Sequence, residues 1–164
     1  LLKAARLVDP DRVSLVFVGA GSQLNHLIRR SGDISNVRFL PYYSRDLVPY
    51  VLRSADLHIV AVRSGLEGLV VPSKVYPVLM AGKPVLAVSS PNSDVAQIVT
   101  KYQCGLVANP DSPHDVAAMI DQAMRNRIEL ERMGERSRMA GMEFSQEREM
   151  TRMVHLLETV VGGN

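Results

Sequence analysis

The sequence predicts an open, doubly wound α/β domain: a parallel sheet with helices on both faces, closed by a helical C-terminal tail. Short apolar runs alternate with stretches at helical spacing, the pattern of crossover units between parallel strands. The run Leu15-Val16-Phe17-Val18 is apolar at every position and ends in Gly19, as a strand covered on both faces does. The 164 residues suit one compact domain, and a hydrophobic content of 46% is enough to fill its core. Residues 1–164 are therefore read as one unit, with no internal repeat, low-complexity tract or linker.

The elements follow in order. Leu1 to Val8 reads as an amphipathic helix with no cap before it, which predicts a natural N-terminus upstream. After the first strand, Val37-Arg38-Phe39-Leu40 alternates as a second. Pro49 can open a short helix, with Val51, Leu52 and Ala55 inward. Leu57 to Val62 is a third strand. Val85-Leu86-Ala87-Val88 is a fourth, preceded by Gly82 as a helix C-cap and by Pro84 just past it. Gly105-Leu106-Val107 is a fifth. Ser112 and Pro113 form a start signal, and Val116, Met119, Ile120, Ala123 and Met124 follow at helical spacing. From Arg125 to Arg138 the charges alternate in sign, as on a solvated helix surface. A last helix is expected over residues 146–161, packing Met150, Met153, Val154, Leu157 and Val161 on this domain or on another.

Composition excludes several classes. Nineteen Lys and Arg against 17 Asp and Glu leave a net charge of +2, too even for nucleic acid as a partner. The single cysteine, Cys104, excludes an internal disulfide and an all-cysteine zinc site. It reads as a buried or half-buried structural thiol, in keeping with a cytoplasmic location or a peripheral one at the inner membrane face. His26, His58, His114 and His155 do not fall at metal-ligand spacing, so no metal is expected, and His58 reads as a satisfied core or edge histidine. No Ser–His–Asp or Cys–His order is present, and no apolar run approaches the ~20 residues a bilayer requires.

Parallel sheets bind ligands at the carboxyl ends of their strands, so function is sought in the loops there. Gly19-Ala20-Gly21-Ser22 is either a tight structural turn or a loop that lets backbone approach an anion before a helix; Leu24 stands where a dinucleotide fingerprint needs its third glycine. In Leu40-Pro41-Tyr42-Tyr43 the rings either stack on a base or cover the sheet edge. Arg63 to Lys74 is the most informative loop. Gly65 and Gly68 flank a lone carboxylate, Glu67, a cradle suited to sugar hydroxyls. Ser73 is placed to cap the next helix, whose free N–H groups suit a phosphate. Lys74 puts a full positive charge at that same end, against the dipole preference. A bound diphosphate accounts for it; a solvent-facing lysine is the alternative.

These residues resemble the C-terminal domain of the group 1, or family 4, glycosyltransferases of the GT-B fold, whose donor domain is Rossmann-like. Phe17-Val18-Gly19-Ala20-Gly21 is similar to that family's strand and glycine turn. Val37-Arg38-Phe39-Leu40-Pro41 resembles the strand whose backbone meets the nucleotide base. Ser54-Ala55-Asp56-Leu57, Glu67-Gly68-Leu69-Val70, Ala81 to Ala87 and Cys104-Gly105-Leu106-Val107 resemble later elements in the same order. Val71-Pro72-Ser73-Lys74-Val75-Tyr76 is similar to a branch that makes bacterial surface polysaccharides.

The resemblance implies retaining transfer from a nucleoside-diphosphate sugar, a UDP- or GDP-sugar, to a saccharide or lipid-linked acceptor, with no further cofactor. It implies catalytic roles for Glu67 and Lys74, and donor contacts at Gly19, Gly21, Leu40, Tyr42, Gly68, Leu69, Pro72 and Ser73. It also implies an acceptor-binding N-terminal domain of the same polypeptide, without which residues 1–164 would bind donor but not transfer it. Two departures stand out. Pro77 occupies the place of the family's ribose-binding glutamate, and the family's first strand of this domain, with its phosphate-binding Lys or Arg, would precede Leu1. Two other readings remain: a nucleotide-sugar 2-epimerase of the same fold, which needs acid and base residues beyond Glu67, and a non-enzymatic nucleotide-binding module.

Overall fold

The structure, a computed structural model, describes residues 1–65, 72–145, 150, 153, 154 and 158. Its elements run α1 (Leu2–Ala5), β1 (Leu15–Val18), α2 (Leu24–Ser31), β2 (Val37–Leu40), α3 (Val48–Ser54), β3 (His58–Ala61), α4 (Val75–Met80), β4 (Val85–Val88), α5 (Asp94–Tyr102), β5 (Gly105–Ala108), α6 (Pro113–Arg125) and α7 (Arg127–Glu143). Each strand falls on a stretch read as a strand in the sequence, and every pairing is parallel.

Leu15 lies opposite Val37 and Val18 opposite Leu40. His58 lies opposite Val85, and Val85 opposite Gly105, so β4 is central to β3 and β5. The hydrogen bonds divide the strands into β1–β2 and β3–β4–β5, where the sequence suggested one continuous sheet. Among the described residues no strand pairing joins the two groups.

β4 shows why the α/β layering forms. All four of its residues are buried. Alternate side chains point to opposite faces: Leu86 and Val88 enter one core with α1 and α6, while Val85 and Ala87 enter another with α4, α5 and Ala140 of α7. Leu15 joins the first core, Phe17 packs against it, and the Phe17 and Phe39 rings stack at 5.2 Å. The expectation that β1 is covered on both faces fails. Val16 is 50% exposed and Val18 45%, because the second face of the β1–β2 pair is left open.

Helix ends follow local chemistry. Ser112 Oγ accepts the Asp115 N–H at 3.1 Å with Pro113 as the first residue of α6, and Ser93 Oγ accepts the Ala96 N–H at 3.3 Å on α5. Gly82 adopts φ +69° just after α4, the left-handed cap that glycine accommodates. Pro49 sits in the first turn of α3, whose Leu52 packs against the second core while none of its residues is fully buried.

α7 buries Gly134, Ser137, Ala140 and Gly141, spaced three and four apart on one face. A Cβ added to Gly134 would lie 2.7 Å from the Gly82 carbonyl oxygen, and one on Gly141 2.8 Å from the Met80 nitrogen. Small residues thus let α7 lie against the backbone of α4. The helix expected over residues 146–161 falls mostly outside the described residues; Met150, Met153 and Val154 are exposed.

Candidate functional site

Parallel register brings the carboxyl ends of each sheet's strands to one side. After β1, Gly19 takes φ +126° and donates its N–H to the Leu40 carbonyl at 3.1 Å. That φ favours glycine, and a Cβ at Gly19 or Gly21 would meet nothing within 4 Å, so space above the turn is open. α2 follows with Gln23 as N-cap, no side-chain cap and no acid in its first turn.

After β2, Leu40 is 38% exposed and Tyr42 73% exposed, so most of the Tyr42 side chain is open to solvent. Tyr43 is half-buried.

After β3, Val62 is anchored by its N–H to the Val88 carbonyl at 3.0 Å. Arg63, Ser64 and Gly65 are exposed, with Gly65 at φ +84°. Glu67, Gly68 and Leu69 lie outside the described residues.

The chain continues at half-buried Pro72, whose carbonyl accepts the Val75 N–H at 2.9 Å. This turn places Lys74, not Ser73, at the N-cap of α4. The expected Ser73 cap is therefore absent: Lys74 already has helical dihedrals (φ −63°, ψ −20°), and among the described residues no side-chain cap bond is made at this end of α4. Ser73 and Lys74 are both exposed, and Lys74 makes no ion pair with a described residue. Pro77 is the third residue of α4, still in the first turn, where its missing N–H removes no intrahelical bond.

Two side-chain pairs at the remaining strand ends were not legible in the sequence. After β4, Ser93 Oγ–H donates to Ser89 Oγ at 2.7 Å, and both residues are buried. After β5, Asp111 accepts the Ser64 hydroxyl at 2.8 Å across 47 residues of chain. Ser93 before a helix carries a cap signal, whereas nothing in residue spacing announces which distant loop Asp111 reaches.

At the opposite, amino ends of the strands, His58 Nε2–H donates to the Leu52 carbonyl at 2.8 Å, as a satisfied histidine. Burial lowers its pKa, the carbonyl bond opposes that, and Lys83 adds to the lowering. Cys104 is buried, and burial pushes its thiol up. The cleft between the end of α4 and α7 carries three acids (Asp56, Glu131, Glu135) and three bases (Lys83, Arg127, Arg138), with no net charge to select an ion. Among the described residues, no cluster of His, Cys, Asp and Glu is placed to hold a metal, and no helix is long and apolar enough to cross a membrane.

The chain is similar to known proteins over most of its length. The probable glycosyltransferase WbjE of Pseudomonas aeruginosa is 28% identical over 125 residues, 74% of this chain and 31% of that protein. The putative colanic acid biosynthesis glycosyl transferase WcaI of Escherichia coli is 24% identical over 76% of this chain and 31% of its own length. The chain thus spans about a third of the curated relatives it matches. Among solved structures, Anabaena Alr3699/HepE in complex with UDP superposes with a TM-score of 0.78 at 19% identity, over 97% of this chain and 44% of that one. That likeness establishes a shared fold. Residues 1–140 match the family model described as glycosyl transferases group 1, and the chain belongs to that family.

Proposed function

We propose that the chain is the donor-binding domain of a retaining glycosyltransferase that takes a UDP- or GDP-sugar in the synthesis of a cell-surface polysaccharide. The family match over residues 1–140 carries this reading. The UDP bound by the fold neighbour and the colanic acid pathway in the name of one relative support its finer parts.

In this reading the base stacks on Tyr42 beside the Leu40 backbone, and the diphosphate lies between the Gly19–Gly21 turn and Lys74. Ser73 and Pro72 border the phosphate side, and Glu67 with the Gly68 and Leu69 amides holds the sugar. As the bond from the anomeric carbon to the diphosphate breaks, negative charge grows on the leaving phosphate. The Lys74 ammonium stabilises that charge. Pro77 supplies no acceptor for ribose, so α4 contributes to phosphate rather than ribose binding. Acceptor groups come from a further domain of the same cytoplasmic polypeptide, and the 164 residues alone bind donor without transferring it.

Titration calorimetry with UDP-glucose, UDP and uridine tests the reading. The unmodified chain should bind UDP-glucose and UDP more tightly than uridine. Lys74→Ala should weaken both nucleotides about tenfold, ~1.4 kcal/mol, and leave uridine unchanged. Equal losses for nucleotide and nucleoside would remove Lys74 from the phosphate role. Sugar transfer by the 164 residues alone would contradict the need for a further domain.

A further inference from the structure

The β5–α6 loop is braced within itself. The Asp115 carboxylate accepts the Asn109 N–H at 2.6 Å, and the Asn109 carbonyl side chain accepts the Asp111 N–H at 2.9 Å. Ser112 caps α6 through the Asp115 N–H at 3.1 Å, and its own N–H reaches the Asn109 carbonyl at 3.2 Å. Local bonds therefore fix residues 109–115 without calling on the Asp111 carboxylate. That carboxylate accepts the Ser64 hydroxyl at 2.8 Å instead.

Ser64 stands three residues beyond β3, and Asp111 three beyond β5, with β4 between those strands. The bond thus laces two loops over the carboxyl end of the central strand. On the β3 side it meets the chain just before Gly65, whose φ of +84° turns the backbone. Val62 is already fixed to β4, so Ser64 is the next point at which that loop is tied down.

We infer that Asp111 is a positioning residue for donor binding: by holding Ser64 it fixes the root of the loop that leads from β3 toward Lys74. The inference rests on the donor-binding reading above. Asp111 does not itself contact the donor. It narrows the orientations available to the loop root before the ligand arrives, so its loss is felt as weaker binding. An exposed hydrogen bond to a carboxylate contributes modestly to fold stability, so the global melting temperature barely changes.

The experiment compares the unmodified chain with Asp111→Ala, Asp111→Asn, Ser64→Ala and the Ser64→Ala/Asp111→Ala pair. Calorimetry with UDP-glucose gives affinity, and hydrogen exchange without ligand reports on the Ser64 and Gly65 amides. Asp111→Ala should weaken UDP-glucose about three- to tenfold and speed exchange at those amides. Asp111→Asn keeps an acceptor oxygen and should restore most of the affinity. The double variant should be no worse than either single one, since both remove the same bond. An Asp111→Ala chain that binds UDP-glucose like the unmodified one, or additive losses in the double variant, would overturn the inference alone. Failure of the unmodified chain to bind UDP-glucose or UDP would instead overturn the donor reading, and this inference with it.

Discussion

His58 shows how one side chain couples this fold to pH. It opens β3, half-buried, with its Nε2–H committed to the Leu52 carbonyl and Lys83 close enough to disfavour a second positive charge. Its folded pKa is lowered, first by burial, so between that value and the unfolded value near 6.5 the unfolded chain binds more protons. The stability linked to His58 is therefore full above about pH 6.5 and is lost as pH falls through the folded value. Asp33, held low by Arg6, and Asp46, held low by Ser44, respond only in the acid range of carboxylates. Melting temperatures at about pH 7.5 and about pH 5 should differ more for the unmodified chain than for His58→Gln. Identical pH dependence in the two would remove His58 as the source.

At the scale of elements, packing at α7 sets a sharp expectation. Gly141→Ala places a Cβ 2.8 Å from the Met80 nitrogen and 2.9 Å from the Leu79 carbonyl carbon, backbone atoms that cannot swing aside. We expect a loss of about 2 kcal/mol in denaturant unfolding. Gly32→Ala is the contrast: Gly32 has φ −47°, and its nearest neighbour to a new Cβ is 3.7 Å away, so stability should hold or rise slightly. Equal losses at the two positions would contradict the close α4–α7 contact.

The same helix marks a boundary of what the sequence reveals. Strands were legible because Leu15–Val18, residues 59–61 and Val85–Val88 are short apolar runs, although only in β4 is every residue of the run buried. The buried face of α7 is made of glycine, serine and alanine, which carry no hydrophobic period, so only its charges spoke. Ser73 was misread by one step because the Pro72–Val75 turn, a backbone feature, draws Lys74 into helical geometry. Ser112, with Pro113 beside it, carried an unambiguous local signal and caps as expected. The Ser64–Asp111 bond was illegible because it depends on β3 and β5 flanking β4, a relation that belongs to topology rather than spacing.

For the molecule as a whole, two cores meet at β4, and the candidate loops follow the carboxyl ends of the strands in each sheet, while His58, Cys104 and the charge-balanced cleft sit at the amino ends. The central claim is that a nucleoside-diphosphate sugar binds at the first of these two ends. Amide chemical-shift mapping of the 15N-labelled chain titrated with UDP-glucose tests it most directly. The account predicts shifts at Gly19, Gly21, Tyr42, Ser64, Gly65, Ser73 and Lys74, with His58, Lys83 and Cys104 unmoved. Shifts confined to Lys83, Arg127 and their neighbours, or none at saturating ligand, would contradict it.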